Sequence, residues 1–404
     1  MKRLRKILER IVEFIFTVSG AVTSIAILLI IVFLFREGFG LFKSPVVEKG
    51  HVLYVNSSNP VRNLNPKQLK EIFDYEFDNW EQVGGTDRDI TVFRFEEIFS
   101  LFSDEELDAD NDYALLPEKL HEVIADDPTI IAYLPQRYAP EEGGGVKILP
   151  TKNIAPAHYF LGKEWMPTST PAAQFGVLPL ILGTLLVSIV AILIALPLGL
   201  GVAIFMSELA GDRMRKILKP TIELLAGIPS VVYGFFGLVV LVPLVQKAFG
   251  LPVGETALTG SLILAIMALP TIITVAEDAM RNTPLSMREA SLALGATDWQ
   301  TVYKVVIPYS ISGISAAVVL GIGRAIGETM AVLMVTGNAA VMPKSLSEPV
   351  RTIPATIAAE LGEAPSGGSH YQALFMLGVI LFIITMIISV TAEMISKRKH
   401  TGGI

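Results

Sequence analysis

Ser286-Met287-Arg288-Glu289-Ala290-Ser291-Leu292-Ala293-Leu294-Gly295-Ala296-Thr297-Asp298-Trp299-Gln300 is a polar stretch between two apolar runs of membrane length, 258–275 and 311–335. Its chemistry specifies two short helices joined at a glycine. Ser286 followed three residues later by Glu289 has the form of a capping box, which satisfies orphan amides at a helix start. Thr297 with Gln300 repeats the device. Gly295 lies between them, where a left-handed residue costs glycine little. Pro308, after Val305-Val306-Ile307, is expected to close the second helix. A rigid helix-turn-helix loop between membrane spans has something to push against.

Working outward, the chain has 404 residues, of which 51% are hydrophobic and only 18% charged. The charges are unevenly placed. Runs 14–35, 175–206, 224–245, 258–275, 311–335 and 373–390 hold few or none. Each is long enough for a helix to cross a hydrocarbon core of about 30 Å. Backbone groups in lipid must be paired internally, so helices are the reading of these runs. The fold class is an all-α polytopic membrane protein with six transmembrane helices. Lys2, Arg3, Arg5, Lys6 and Arg10 precede the first run as in a signal peptide. That run lacks an Ala-x-Ala-like exit and is expected to stay as a span. There is no cysteine, which excludes disulfides and thiolate chemistry, and five scattered histidines lack metal-ligand spacing. No metal site is expected.

Basic residues orient the spans. The N-terminal five, Arg213, Arg215, Lys216 and Lys219, then Arg281, Arg288 and Lys304, and Lys397, Arg398 and Lys399 fall on one side. The short loops opposite hold Lys247, Lys344 and Arg351. This asymmetry places both termini and the polar loop in the cytoplasm.

Residues 44–170 form a soluble insert on the outer face. It carries 11 Lys/Arg against 23 Asp/Glu, near −12, while the remaining chain is near +5. Strand-like runs at 51–56, 90–95 and 129–134 alternate with helical stretches at 66–74 and 116–124. Such a segment is long enough to bury its own core, so a small α/β domain is expected. Asp108, Asp110 and Asp112 resemble the start of a calcium loop, but its glycine and glutamate places hold Tyr113 and Lys119. The expected organisation is 1–43, cytoplasmic N-terminus and first span; 44–170, the insert; and 171–404, a five-helix core with the polar loop at 281–309.

Within the six runs the ionisable residues are Arg324 and Glu328, both in the fifth. A charge at such depth costs about 2.5–3.5 kcal/mol on insertion scales unless it is paired or faces a polar path. Four residues apart on a continuous helix, the two would share one face. They could form a salt bridge that locks the bundle. Alternatively they line a substrate path, the guanidinium receiving an oxyanion in its fork. Gly323 and Gly327, also four apart, are expected to let another helix approach closely.

Three stretches carry a family resemblance. Glu289-Ala290-Ser291, three residues, Gly295, nine residues, then Val305-Val306-Ile307-Pro308 resembles the EAA loop of ABC importer permeases. In that family the loop is cytoplasmic and inserts into a groove of the ATPase subunit. Gly323-Arg324-Ala325-Ile326-Gly327-Glu328-Thr329-Met330-Ala331-Val332, ending at Thr336-Gly337-Asn338, resembles the membrane signature of phosphate importer permeases, in the PstC-type rather than the PstA-type variant. Glu223-Leu224-Leu225-Ala226-Gly227-Ile228-Pro229-Ser230-Val231-Val232-Tyr233-Gly234 resembles the same family. Within the insert, Asn59-Pro60-Val61-Arg62-Asn63-Leu64-Asn65-Pro66 through Phe73, with Asn79-Trp80-Glu81-Gln82-Val83-Gly84-Gly85, is similar to extracytoplasmic phosphate-binding proteins.

The resemblance implies the ABC importer permease fold and a cytoplasmic-membrane transport subunit for phosphate. It implies Arg324 and Glu328 as pathway residues, and Ser286, Glu289, Ala290, Gly295, Thr297 and Pro308 as the ATPase-coupling loop. It also implies a second related permease, two ATPase subunits and an external phosphate-binding protein as partners. No Gly-x-x-x-x-Gly-Lys-Ser/Thr loop occurs, so ATP and Mg are expected on the partner ATPase, with no cofactor in this chain and no enzymatic activity of its own. No nucleic acid partner is expected. A permease for molybdate or sulfate, and a non-transporting membrane sensor, remain open at this point.

Overall fold

The computed structural model describes residues 2–47 and 50–400. The side chains of Lys2, Arg3, Arg5, Lys397, Arg398 and Lys399, used above for orientation, lie outside what is described. The chain divides into two compact units, Met1–Gly176 with Ala364–Met376, and Val177–Glu363 with Leu377–Ile404.

The first unit begins with α1, Lys2–Gly40. Its polar side chains are self-satisfied: Thr17, Thr23 and Ser24 donate to carbonyls four residues back at 2.8–2.9 Å. None of its most apolar stretch is buried against the rest of the chain, as expected of a helix facing lipid. Its C-terminal part is pinned by Phe33, edge-on to Phe375 at 5.4 Å.

The insert follows as β1 (His51–Asn56), α2 (Pro66–Phe73), β2 (Thr91–Arg94), α3 (Ile98–Leu101), α4 (Leu116–Asp126), β3 (Ile130–Pro135), β4 (Val146–Ile148) and α5 (Pro156–Leu161). α2 starts where Asn65 and Gln68 form a capping box and Pro66 takes the first turn. The sheet order is β2-β3-β1-β4. β2 and β3 run parallel because the helical crossover through α3 and α4 joins them. β1 is antiparallel to both β3 and β4. Leu116, Leu120 and Ile124 of α4 pack with Tyr54, Ala132 and Leu134 of the sheet. A two-residue pair, β5 (Trp165–Met166) and β6 (Gln174–Phe175), closes the unit.

The second unit is helical. α6 (Leu178–Ile204) runs into a π-helical turn, Phe205–Leu209. α7 (Asp212–Ala226) is followed by α8 (Ser230–Phe236), a second π turn at Gly237–Leu241 and α9 (Val242–Phe249). α10 spans Ala257–Arg281. The polar loop contributes α11 (Leu285–Ala293), α12 (Asp298–Thr301), a third π turn at Val302–Val306 and α13 (Ile307–Tyr309). Then come α14 (Ile311–Gly327), α15 (Met330–Val335), α16 (Ile353–Glu360) and α17 (Ser369–His400), the last shared between the units.

Among the described residues, five helical segments are long and apolar enough to span a membrane. The segment Asp298–Tyr309 with Ile311–Gly327, bent by 70°, makes a sixth if counted as one. α10 is the central helix, packed closely on α6 and α14. A Cβ on either Gly199 or Gly321 would lie 2.8 Å from Ile272.

Two expected spans are corrected. The run 224–245 is not one helix: its first residues belong to α7, and Gly227-Ile228-Pro229 intervenes before α8. Proline disfavours α geometry in the residue before it, so α7 stops there. Glu223 therefore lies exposed on α7 rather than at a span end. The run 311–335 is likewise interrupted, between Gly327 and Met330.

Candidate functional site

Arg324 lies in the last turn of α14, where a cation complements the helix end. Glu328 is the residue leaving that helix, with φ −71° and ψ 131°. The expected shared helical face is thus corrected, because the chain turns extended at the fourth residue. The Thr329 hydroxyl donates to Gly327 O at 3.3 Å, at a carbonyl the helix has left free. Both residues are half-buried. Among the described residues no ion pair joins them, and the buried Nε of Arg324 has no hydrogen-bond partner. An orphaned buried donor costs about 1–3 kcal/mol, and a guanidinium cannot shed its proton to escape that cost.

The surroundings of the break are built from a second broken helix. α8, which restarts after Pro229, meets α15, which restarts after Thr329. A Cβ on Gly234 would lie 3.0 Å from Ala331 Cα. Tyr233 of α8 donates its hydroxyl to Leu225 O on α7 at 2.8 Å. A groove of about 540 Å³, lined by Gly327, Thr329, Pro354, Ile357 and Leu361 among others, opens beside the break. Gly323 and Gly327 face open space within this chain: no described atom of another element comes within 4 Å of where their Cβ atoms would sit.

In the polar loop, α11 begins at Pro284 without a side-chain cap. Pro284 has the extended ψ of a helix-entry residue, so Ser286 falls inside the first turn, too late to cap it. The expected Ser286–Glu289 capping box is corrected accordingly. Glu289 and Ala290 are both exposed on α11. Gly295 has φ +83°, and its amide donates to Leu292 O at 2.9 Å. This turn leaves Leu294 89% exposed. Thr297 and Gln300 make both bonds of a capping box, and Thr301 Oγ1 donates to Ser291 Oγ at 2.9 Å, locking α12 to α11. Pro308 does not close the helix: α13 continues through it to Tyr309, and the bend comes at Ser310. The wide π turn just before it accommodates a residue lacking an amide proton. Replacing Thr297 by alanine is expected to cost about 1 kcal/mol of α12 stability, read as roughly fivefold faster amide exchange in Asp298–Thr301.

A second cluster is not visible in the sequence pattern, where the fourth apolar run ends at 275. α10 continues to Arg281 and carries Glu277, whose side chain is 1% exposed. Its carboxylate is split: Oε1 accepts from Arg215 at 3.1 Å and Oε2 from Lys219 at 2.8 Å, both on α7. Arg281 stands 3.7 Å away. Hydrogen bonds to Asp278 and Glu277 raise the Lys219 ammonium above its ordinary value. A raised folded value means this anchor is intact at neutral pH and is lost only as pH climbs through that value. One helix further, Arg288 of α11 pairs with Glu208 in the π turn after α6 and donates to Met280 O at 2.8 Å. A usable signal existed: Arg215 and Lys219 at i,i+4 are matched by Glu277 on a different polar-ended helix.

Residues 195–401 match the family described as the binding-protein-dependent transport system inner membrane component. The chain belongs to that family. Within it, the chain is 40% identical over 255 residues to the probable ABC transporter permease protein YqgH of Bacillus subtilis (strain 168), covering 63% of this chain and 82% of that one. It is also 40% identical over 266 residues to the phosphate transport system permease protein PstC of Mesorhizobium japonicum, covering 61% and 80%. A solved structure of the MetNI methionine ABC transporter, inward facing, is similar at 20% identity over 57% of this chain and 99% of that chain, with a TM-score of 0.44. The chain is a permease of the PstC type. The family match begins inside α6, so α1 and the insert of this permease lie outside it.

Proposed function

We propose that this permease passes inorganic phosphate across the cytoplasmic membrane as one subunit of an ATP-driven importer. Its partners are a second related permease, two ATPase subunits that bind ATP and Mg, and an extracytoplasmic phosphate-binding protein. Both termini and the α11–α13 loop face the cytoplasm, and the insert faces outward. The observation that carries the reading is Arg324: a permanent cation with an orphaned buried donor, set at a helix break inside an apolar bundle. Discontinuous helices at the midplane are where transporters place their substrate sites. Relatives that bear the phosphate-transport name supply the choice of anion. Reconstitution with the partners in vesicles tests it. ATP-dependent uptake of labelled phosphate is expected; uptake of sulfate or molybdate in its place would overturn the assignment.

Glu328 gives the path a means of sorting oxyanions. Phosphate near neutral pH keeps a proton that a carboxylate can accept as a hydrogen bond, whereas sulfate has none. Glu328→Gln is expected to reduce phosphate-over-sulfate preference by roughly tenfold or more, the value of one charge-assisted hydrogen bond of about 1.5–3 kcal/mol. Competition of sulfate against labelled phosphate measures it. An unchanged preference removes Glu328 from selectivity.

A further inference from the structure

We propose that Glu277 is a positioning residue that carries movement of α11 to the break beside Arg324. The proposal rests on the permease reading above. Its contacts join end to end. Arg288 on α11 holds Glu208 and the Met280 carbonyl, so α11 cannot shift without drawing on the ends of α6 and α10. Glu277, within one turn of Met280, holds Arg215 and Lys219 of α7. α7 ends at Ala226, and Leu225 O near that end accepts the hydroxyl of Tyr233 on α8, the helix whose Gly234 packs against Met330 and Ala331 just past the break.

What makes Glu277 the hub is how little else holds α7. Met214, Ile217 and Leu224 are 50%, 66% and 74% exposed, and the apolar anchoring of the helix within this chain runs through buried Ile222 with Leu218 beside it. Apolar packing therefore fixes α7 weakly, and the split carboxylate fixes it strongly. A helix held by ion pairs can follow α10 without the core being unpacked. The opposite arrangement, a well-buried α7, would make these charges redundant.

The experiment uses the full complex in vesicles and reads phosphate taken up per ATP hydrolysed. Glu277→Gln is expected to lower that ratio by roughly fivefold or more, within the span of typical site-to-site coupling. Glu277→Asp, which keeps the carboxylate, is expected to recover most of it. A residue that merely stabilises the fold would lower uptake and hydrolysis together, and an unchanged ratio overturns the proposal. Where Glu277→Gln prevents assembly, Lys219→Gln at the half-buried partner carries the same test: the ratio is expected to fall, and an unchanged ratio overturns the relay. A second readout is independent of the solute. Because the chain has no cysteine, nitroxides on Lys216→Cys and Phe249→Cys report the position of α7 relative to the end of α9 within this chain. Their ATP-dependent distance change is expected in the parent and absent with Glu277→Gln; the same change in both overturns the relay. A parent complex that moves α7 but takes up no phosphate overturns the substrate assignment and leaves the relay standing.

Discussion

Arg324→Ala is expected to lower phosphate uptake by at least roughly thirtyfold while membrane insertion and partner assembly stay normal. That is the low end of about 2–5 kcal/mol for truncating one partner of a buried hydrogen-bonded charge pair. The other partner here is the travelling anion. Arg324→Lys is expected to recover only part of the loss, because an ammonium keeps the charge and loses the planar fork. Initial rates of labelled phosphate uptake in vesicles decide it. Normal rates in the alanine variant would mean that the guanidinium serves only to complement the end of α14.

The second large effect concerns the loop. Leu294, just past α11 and lifted outward by the left-handed Gly295, Trp299 of α12 and Tyr303 of the π turn after it are exposed apolar side chains of the loop, the two rings 6.5 Å apart. A few well-packed anchors dominate an interface, each costing about 2 kcal/mol or more on truncation, and a charge placed among them also disturbs the aromatic pair beside it. Leu294→Asp is therefore expected to weaken copurification with the ATPase by roughly thirtyfold or more, with the chain still inserted and folded. Undiminished ATPase capture would remove this face from docking.

Much of this architecture is readable from residue patterns, and the failures share a cause. β1, α2 and α4 in the insert are visible because their apolar residues repeat at the strand or helix period. Asn65 with Gln68 marks one boundary outright. β4 and the β5–β6 pair, at two or three residues, are too short to show a period. In the membrane, hydropathy finds where lipid is crossed but is blind to where a helix breaks. It merges Leu224 with Tyr233 across Pro229, and Arg324 with Met330 across the extended Glu328. It also takes charge as the end of a span, and so passes over Glu277, which is buried because two cations reach it from α7. Arg324 and Glu328 stand out because charge is conspicuous in an apolar run. Their geometry does not, since one extended residue is a tertiary outcome that no local pattern announces.

The three wide turns, Phe205–Leu209, Gly237–Leu241 and Val302–Val306, each store one residue more than the regular ladder needs. Such a surplus behaves like a dislocation in a lattice. It can creep along the rod by exchanging one hydrogen bond at a time, and each step swivels the side chain it passes by about 100°. A rod carrying such a defect can change which residues face its neighbours without melting, and two of these three defects adjoin the polar loop and α7, where a stroke from outside the bilayer would arrive.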